Sequence, residues 1–146
     1  MIAYLDTSAL VKRYIDEIGT SQVLEIWRMS ERVATSPVAF AETLSALHRR
    51  RRESSTAIER IRVALEMFRS EWPGFLKIEV SDELNTRLVA LVERHPLRGF
   101  DAIHLASAMQ LSDAVPDDMV FVCADRRLTE VAHNEGLRVL PETWDQ

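Results

Sequence analysis

Apolar and polar positions run along this chain in blocks that read in turn as strands and helices. Ile2 to Leu5 is an apolar run too short for a helix, which predicts a buried strand. It ends on Asp6, and Thr7 or Ser8 can cap the helix that follows. Gly19 and Thr20 break the chain before a second helix with Val23, Ile26 and Trp27 on one face. Val33 to Thr35 reads as a short strand, and Pro37 starts a helix from about Val38 to Arg52. Ser54 and Ser55 interrupt the chain before another long helix. There Ile58, Ile61, Leu65, Phe68 and Trp72 recur at steps of three and four, an apolar seam for a partner helix, until Pro73 and Gly74 end it.

The second half repeats the alternation. "LKIEV", residues 76–80, alternates apolar and polar as an edge strand with one wet face does. Asp82 caps a helix carrying Leu84, Leu88, Leu91 and Val92, and Pro96 stops it. "DAIHLASAMQL", 101–111, is apolar nearly all round and predicts a central, buried helix. "VFVCA", 120–124, is a buried strand; Arg126 to Glu135 is a helix closed by Gly136, and Arg138 to Leu140 is a last short strand. Strands alternating with helices predict an α/β fold whose parallel sheet is covered on both faces. Residues 1–146 read as a single domain, within which the helix pair over about 38–72 stands as an arm.

Composition narrows the class. The 146 residues suit one domain with a full core, and 47% apolar with 28% charged residues is ordinary for a soluble globular protein. No apolar run approaches the roughly 20 residues of a membrane span, so no membrane association is expected. The first residues carry no basic leader and reach Asp6 too soon for a secretory signal. Cys123 is the only cysteine, which excludes an internal disulfide and points to a cytoplasmic home. The net charge of −5 disfavours avid, non-specific coating of nucleic acid. It leaves room for a nuclease, because clustered acids are offset by bound cations. Residues 49–69 hold seven arginines against Glu53, Glu59 and Glu66, so the arm is basic and the remainder acidic.

The acids carry the candidate chemistry. Two strands end alike, "IAYLD" at Asp6 and "VFVCAD" at Asp125, and parallel strands with right-handed crossovers put their C-termini on one edge, where ligands bind. Asp101 begins the buried helix. Glu42 sits on a helix face of small residues, with Ala39, Ser45 and Ala46 as neighbours. These four acids, 36, 59 and 24 residues apart, are no local accident of one charged surface. If they converge they are protonated, paired with bases, or metal-bound. No histidine or cysteine lies near enough in sequence to point to a soft site, and oxygen-only ligands suit Mg²⁺ or Mn²⁺.

"YLDTSALVKRY", "SPVAFAETLSALHRR", "RGFDAIHLASAMQL" and "VFVCADRRLTEVAHNEGLRVLP" resemble, in order, the successive motif blocks of the PIN-domain family, and more narrowly the VapC ribonuclease toxins of type II toxin–antitoxin systems. The resemblance spans nearly the whole chain; "SDAVPDDMV" is more acidic and looser than the family pattern. It implies a three-layer α/β/α sheet of about five mostly parallel strands. It implies that Asp6, Glu42, Asp101 and Asp125 form an acidic Mg²⁺ or Mn²⁺ site with Ser8 as a hydroxyl helper. It further implies a metal-dependent endoribonuclease acting on an RNA substrate, a cognate antitoxin protein as partner, and a homodimer. In that reading Asp6 and Asp101 are direct ligands, Glu42 ligates through water or holds the nucleophile, and Ser8 orients a water or a carboxylate.

Simpler roles stand beside these. Asp6 and Asp101 can be helix caps, Glu42 a solvent-facing residue, Asp125 a turn residue near Arg126 and Arg127, and Ser8 only a cap. His104, one turn after Asp101, reads as a packed or hydrogen-bonded core histidine. "HRRRRE", 48–53, grips RNA phosphates or an acidic antitoxin segment, or merely satisfies a helix end. A haloacid-dehalogenase-type phosphatase also places an aspartate after its first strand, but wants a second one two residues on, where Ser8 stands. A receiver-like switch lacks its acid pair and late lysine. A non-catalytic PIN-like RNA- or protein-binding module is the remaining alternative.

Overall fold

The computed structural model describes residues 1–53, 58–115 and 118–146. Ser54 and Ser55, expected to separate two helices, lie outside the described residues, as do Pro116 and Asp117 within "SDAVPDDMV". The sheet consists of β1 (Ile2–Leu5), β2 (Arg32–Thr35), β3 (Leu76–Lys77) and β4 (Met119–Val122) in the order β3-β2-β1-β4, and every neighbouring pair is parallel. Among the described residues four strands form where five were expected. Val139 makes only an isolated parallel bridge to Phe121, through Phe121 N–H to Arg138 O and Leu140 N–H to Phe121 O. Within "LKIEV" only Leu76 and Lys77 are strand, paired with Ala34 and Thr35, and Ile78 N–H adds one bond to Thr35 O at 3.0 Å.

Helices α1 (Thr7–Tyr14), α2 (Thr20–Met29), α3 (Val38–Glu53) and α4 (Ile58–Glu71) cover one face, and α5 (Asp82–Arg94), α6 (Gly99–Ala114) and α7 (Arg126–Asn134) the other. The period of two along a strand makes the division. Ala3, Leu5, Val120 and Val122 point into the core beneath α1–α4, while Tyr4, Phe121 and Met119 point into the core beneath α5–α7. This is the three-layer α/β/α arrangement expected. Helix α6 is buried along most of its length, as its sequence predicts.

The seam on α4 is largely core. Ile61 and Phe68 are fully buried with Leu10 and Tyr14 of α1, while Ile58 at the outer end is 47% exposed. Phe68 packs on Tyr14, Phe40 and Trp72, and Trp27 and Trp72 both meet Phe75 edge to face as anchors. The basic run is divided. Arg50 binds Glu17 at 2.9 Å, while Arg49, Arg51 and Arg52 face solvent.

Capping follows the side chain best placed to accept. Asp6, rather than Thr7 or Ser8, caps α1 by accepting from Ala9 N–H, and Ser81, rather than Asp82, caps α5 by accepting from Leu84 N–H. The C-terminal segment folds back on α2. Gln22 donates to Thr143 O at 2.7 Å, and the Trp144 indole donates to Cys123 O at 3.0 Å. Gly19 allows this approach: its φ is +92°, and a Cβ there would sit 2.7 Å from the Trp144 ring.

Candidate active site

In the order β3-β2-β1-β4 the chain leaves β1 in opposite directions toward β2 and β4, so the crevice outside the C-terminal ends of β1 and β4 is the topological switch point, the usual ligand position in an open α/β sheet. Asp6 follows β1 and Asp125 follows β4. Helix α6 brings Asp101 to the same edge in its first turn, two residues inside a helix that starts at Gly99. Helix α3 brings Glu42. Glu42, Asp101 and Asp125 line one cleft of about 510 Å³ with Arg98, Gly99, Phe100 and Ile103. Asp6 lies behind them, 4% exposed.

Three of the acids have their own donors. The Ser8 hydroxyl donates to Asp6 Oδ1 at 2.7 Å and accepts from Ala124 N–H at 2.9 Å, so it aligns the carboxylate and ties the end of β1 to the end of β4. Ala9 N–H also donates to Asp6 Oδ1 at 3.1 Å, and the Cys123 thiol donates to Oδ2 at 3.1 Å. Glu42 Oε1 accepts from Thr7 Oγ1 at 2.7 Å and meets His104 Nε2 at 2.8 Å; His104 Nδ1 in turn meets the Tyr4 hydroxyl at 2.9 Å. Asp125 Oδ1 accepts from Arg127 N–H at 2.9 Å and Leu128 N–H at 3.2 Å, capping α7. Asp101 caps nothing, since α6 has Arg98 at its N-cap position.

Burial raises the Asp6 carboxyl above its ordinary range, against the opposing pull of His104, Ser8, Cys123 and Ala9. Burial also raises Asp101, with Asp125, Asp6 and Glu42 adding repulsion against a pull from His104. Glu42 goes the other way. Burial works against its charge, but the hydrogen bonds from His104 and Thr7, with the charge His104 carries when protonated, outweigh it and hold the carboxyl low. Burial and the neighbouring Asp6 push the Cys123 thiol far up, so it stays a thiol and a donor.

These opposite shifts set a measurable sign. A carboxyl raised in the folded state is a penalty present above its folded pKa and gone below its unfolded value, near 4. Asp6→Asn keeps an acceptor for Ser8 and Ala9 and removes the buried charge. In metal-free buffer at pH 7–8 it is expected to raise stability, and the gain is expected to vanish toward pH 4. Urea unfolding across that pH range checks it. A loss of stability at pH 7 would mean that the charge itself holds the fold.

Four carboxylates in one region with hard oxygen donors, repelling one another through Asp101, fit a divalent cation in charge and donor type. Among the described residues none of Asp6, Asp101 and Asp125 has a lysine or arginine ion-pair partner. The acids are not gathered into a ready-made cage. Among the described residues no group of three or more His, Cys, Asp or Glu side chains is arranged to hold a metal ion. Asp6, Glu42 and Asp125 are each held by their own donors.

The structure thus brings together the five residues expected from the sequence. It also supplies three that sequence reasoning left out of the chemistry. His104 is the hydrogen-bonded core histidine expected, but its partner is Glu42. Cys123, judged too distant in sequence, touches Asp6, and Thr7 touches Glu42. Asp101 and His104 at i and i+3 share a face of α6, a signal readable in advance. The Cys123 and Thr7 contacts required the packing.

The PIN domain family model matches residues 3–134. Ribonuclease VapC45 and Ribonuclease VapC49, from two strains of Mycobacterium tuberculosis (CDC 1551 / Oshkosh and ATCC 25618 / H37Rv), are each 31% identical over 144 residues, covering 99% of this chain and 98% of theirs. Among solved structures, VapBC2 from Rickettsia felis bound to a DNA fragment from their promoter aligns over 95% of this chain and 97% of that one, with TM-score 0.64 and 16% identity. A toxin–antitoxin complex from Klebsiella pneumoniae aligns over 84% and 86%, with TM-score 0.60 and 23% identity. At those identities the two structures establish the shared fold. A family match over most of the length and near-complete relatives of one kind lead to one conclusion: the chain belongs to the PIN-domain family, among the VapC ribonucleases.

Proposed function

We infer that this chain is an endoribonuclease toxin that hydrolyses RNA phosphodiester bonds and is neutralised by a cognate antitoxin. The observation that carries the reading is the meeting of Glu42, Asp101 and Asp125 in one cleft, beside Asp6, at the switch point of the sheet. The full-length likeness to proteins named ribonuclease VapC supports the substrate class. The toxin–antitoxin complexes among the structural neighbours support the partner.

In the proposed mechanism Asp6, Asp101 and Asp125 would hold Mg²⁺ or Mn²⁺. When bound, the ion supplies positive charge against the phosphate and lowers the pKa of an attacking water. Ser8 and Ala9 N–H fix the direction of the Asp6 carboxylate. Thr7 and His104 hold Glu42 through Oε1 and keep it ionised, leaving Oε2 without a protein partner among the described residues. Glu42 Oε2 then orients the water and takes its proton as the water oxygen attacks phosphorus in line with the departing ester oxygen, which is protonated from solvent.

An aspartyl-phosphate route is disfavoured. Ser8 stands two residues after Asp6, where such an enzyme places its second aspartate. The deciding experiment is cleavage of total RNA by the purified protein with Mg²⁺, with Mn²⁺ and with chelator. Cleavage is expected with either ion and is expected to stop with chelator. Cleavage undiminished by chelator would remove the metal from the mechanism. Among the described residues no helix is long and apolar enough to cross a membrane.

A further inference from the structure

We propose that Arg98 and Phe100, on the lip of the acidic cleft, grip single-stranded RNA: the Phe100 ring stacks on a base beside the bond to be cut, and the Arg98 guanidinium neutralises an adjacent phosphate. The inference rests on the ribonuclease reading and adds to it the residues that hold the strand.

Phe100 is 56% exposed, and among the described residues it is the only aromatic ring in the set of exposed large hydrophobic side chains. Every other Phe, Tyr and Trp ring is at least partly packed, so this one stands out at the mouth of the cleft, next to Asp101 in the chain. An aromatic face accepts any base and contributes affinity without reading sequence. Arg98 is the only cation among the cleft's lining residues, and among the described residues it has no ion-pair partner. A cleft walled by Glu42, Asp101 and Asp125 repels a polyanion, so a strand entering it needs a local positive charge. Gly99 stands between the two residues, and a Cβ there would meet no atom within 4 Å, which leaves the lip open to an approaching strand.

The test uses full-length protein and an end-labelled single-stranded RNA of about 12 nucleotides, within the usual site size for such grooves. Binding is followed by anisotropy in the Asp101→Asn background with Mg²⁺, and cleavage kinetics in the otherwise native protein. Phe100→Ala is expected to weaken binding about tenfold and to raise KM with little change in kcat. Phe100→Leu is expected to behave like Phe100→Ala, because apolar bulk does not replace stacking. Phe100→Trp is expected to restore affinity, with its added fluorescence quenched on binding. Arg98→Ala is expected to reduce the slope of log K against log salt by about 0.7, one phosphate contact on a single strand. Melting temperatures are expected to stay at the wild-type value, since both side chains are exposed.

Affinities within about twofold of wild type and an unchanged salt slope would overturn the inference. So would variants that bind RNA normally but lose the antitoxin or self-association, which would assign the lip to a protein partner. If the native protein neither binds nor cleaves RNA, the ribonuclease reading fails first. If it does both and the variants match it, only the assignment of Arg98 and Phe100 fails.

Discussion

Asp101→Asn is expected to lower metal-supported RNA cleavage by at least about 10²-fold while the variant melts at or above the wild-type temperature. Asp101 sits in the first turn of α6, lines the cleft, and caps nothing. Its carboxyl is raised by burial and then by Asp125 and Asp6, so in the metal-free protein its charge is a burden rather than a support. Asparagine keeps the shape and removes that repulsion. It also removes the carboxylate proposed to hold the metal. A fluorogenic RNA assay and a thermal melt on the same preparation decide the matter. Cleavage within about threefold of wild type would take Asp101 out of the chemistry. A melt several degrees lower would make it a structural residue. A site that gains stability when its acid is neutralised and loses activity in the same step is the expected signature of function held at a cost to the fold.

Phe68→Ala is expected to cost about 4 kcal/mol, a large share of the roughly 5–15 kcal/mol that holds a domain together. Its ring is fully buried and lies 5.3 Å from Tyr14, 5.5 Å from Phe40 and 5.6 Å from Trp72, centroid to centroid. These rings join α4 to α1 and α3, so the substitution opens a cavity where three helices meet. Phe68→Leu, which refills much of that volume, is expected to cost less than half as much. Urea unfolding monitored by tryptophan fluorescence measures both. Because α3 carries Glu42, the cavity variant is also expected to lose cleavage beyond its loss of folded protein. A cost below about 1 kcal/mol would mean that α4 contributes little to the core despite its burial.

Much of this was readable from local chemistry. The apolar runs at Ile2–Leu5 and Val120–Val122 are strands because each is too short for a helix and apolar on both faces, and the structure buries them on both faces. "DAIHLASAMQL" is a buried helix because its polar residues are too few to make a wet stripe. The short strands were harder. Arg138 to Leu140 has a strand's composition, yet only Val139 pairs, because strand length depends on a neighbour's register rather than on local preference. Caps were harder for the same kind of reason. Asp6, Thr7 and Ser8 can all accept from a helix N-terminus, and the backbone at Asp6 selects the aspartate.

The sequence by itself determined that three acids stand at element ends and a fourth, Glu42, on a helix face of small residues in a parallel α/β chain, because strand ends, helix starts and helix periodicity are local. Only the tertiary structure decided what surrounds each acid. Cys123 reaches Asp6, Thr7 and His104 reach Glu42, and Ser8 joins the ends of two strands far apart in the chain. It also decided the signs of the pKa shifts, which place Asp6 and Glu42 on opposite sides of their ordinary values. The physical reason is distance. Desolvation and hydrogen bonding act over a few ångströms, and residues separated by 35 to 117 positions come that close only when the sheet and its helices have packed.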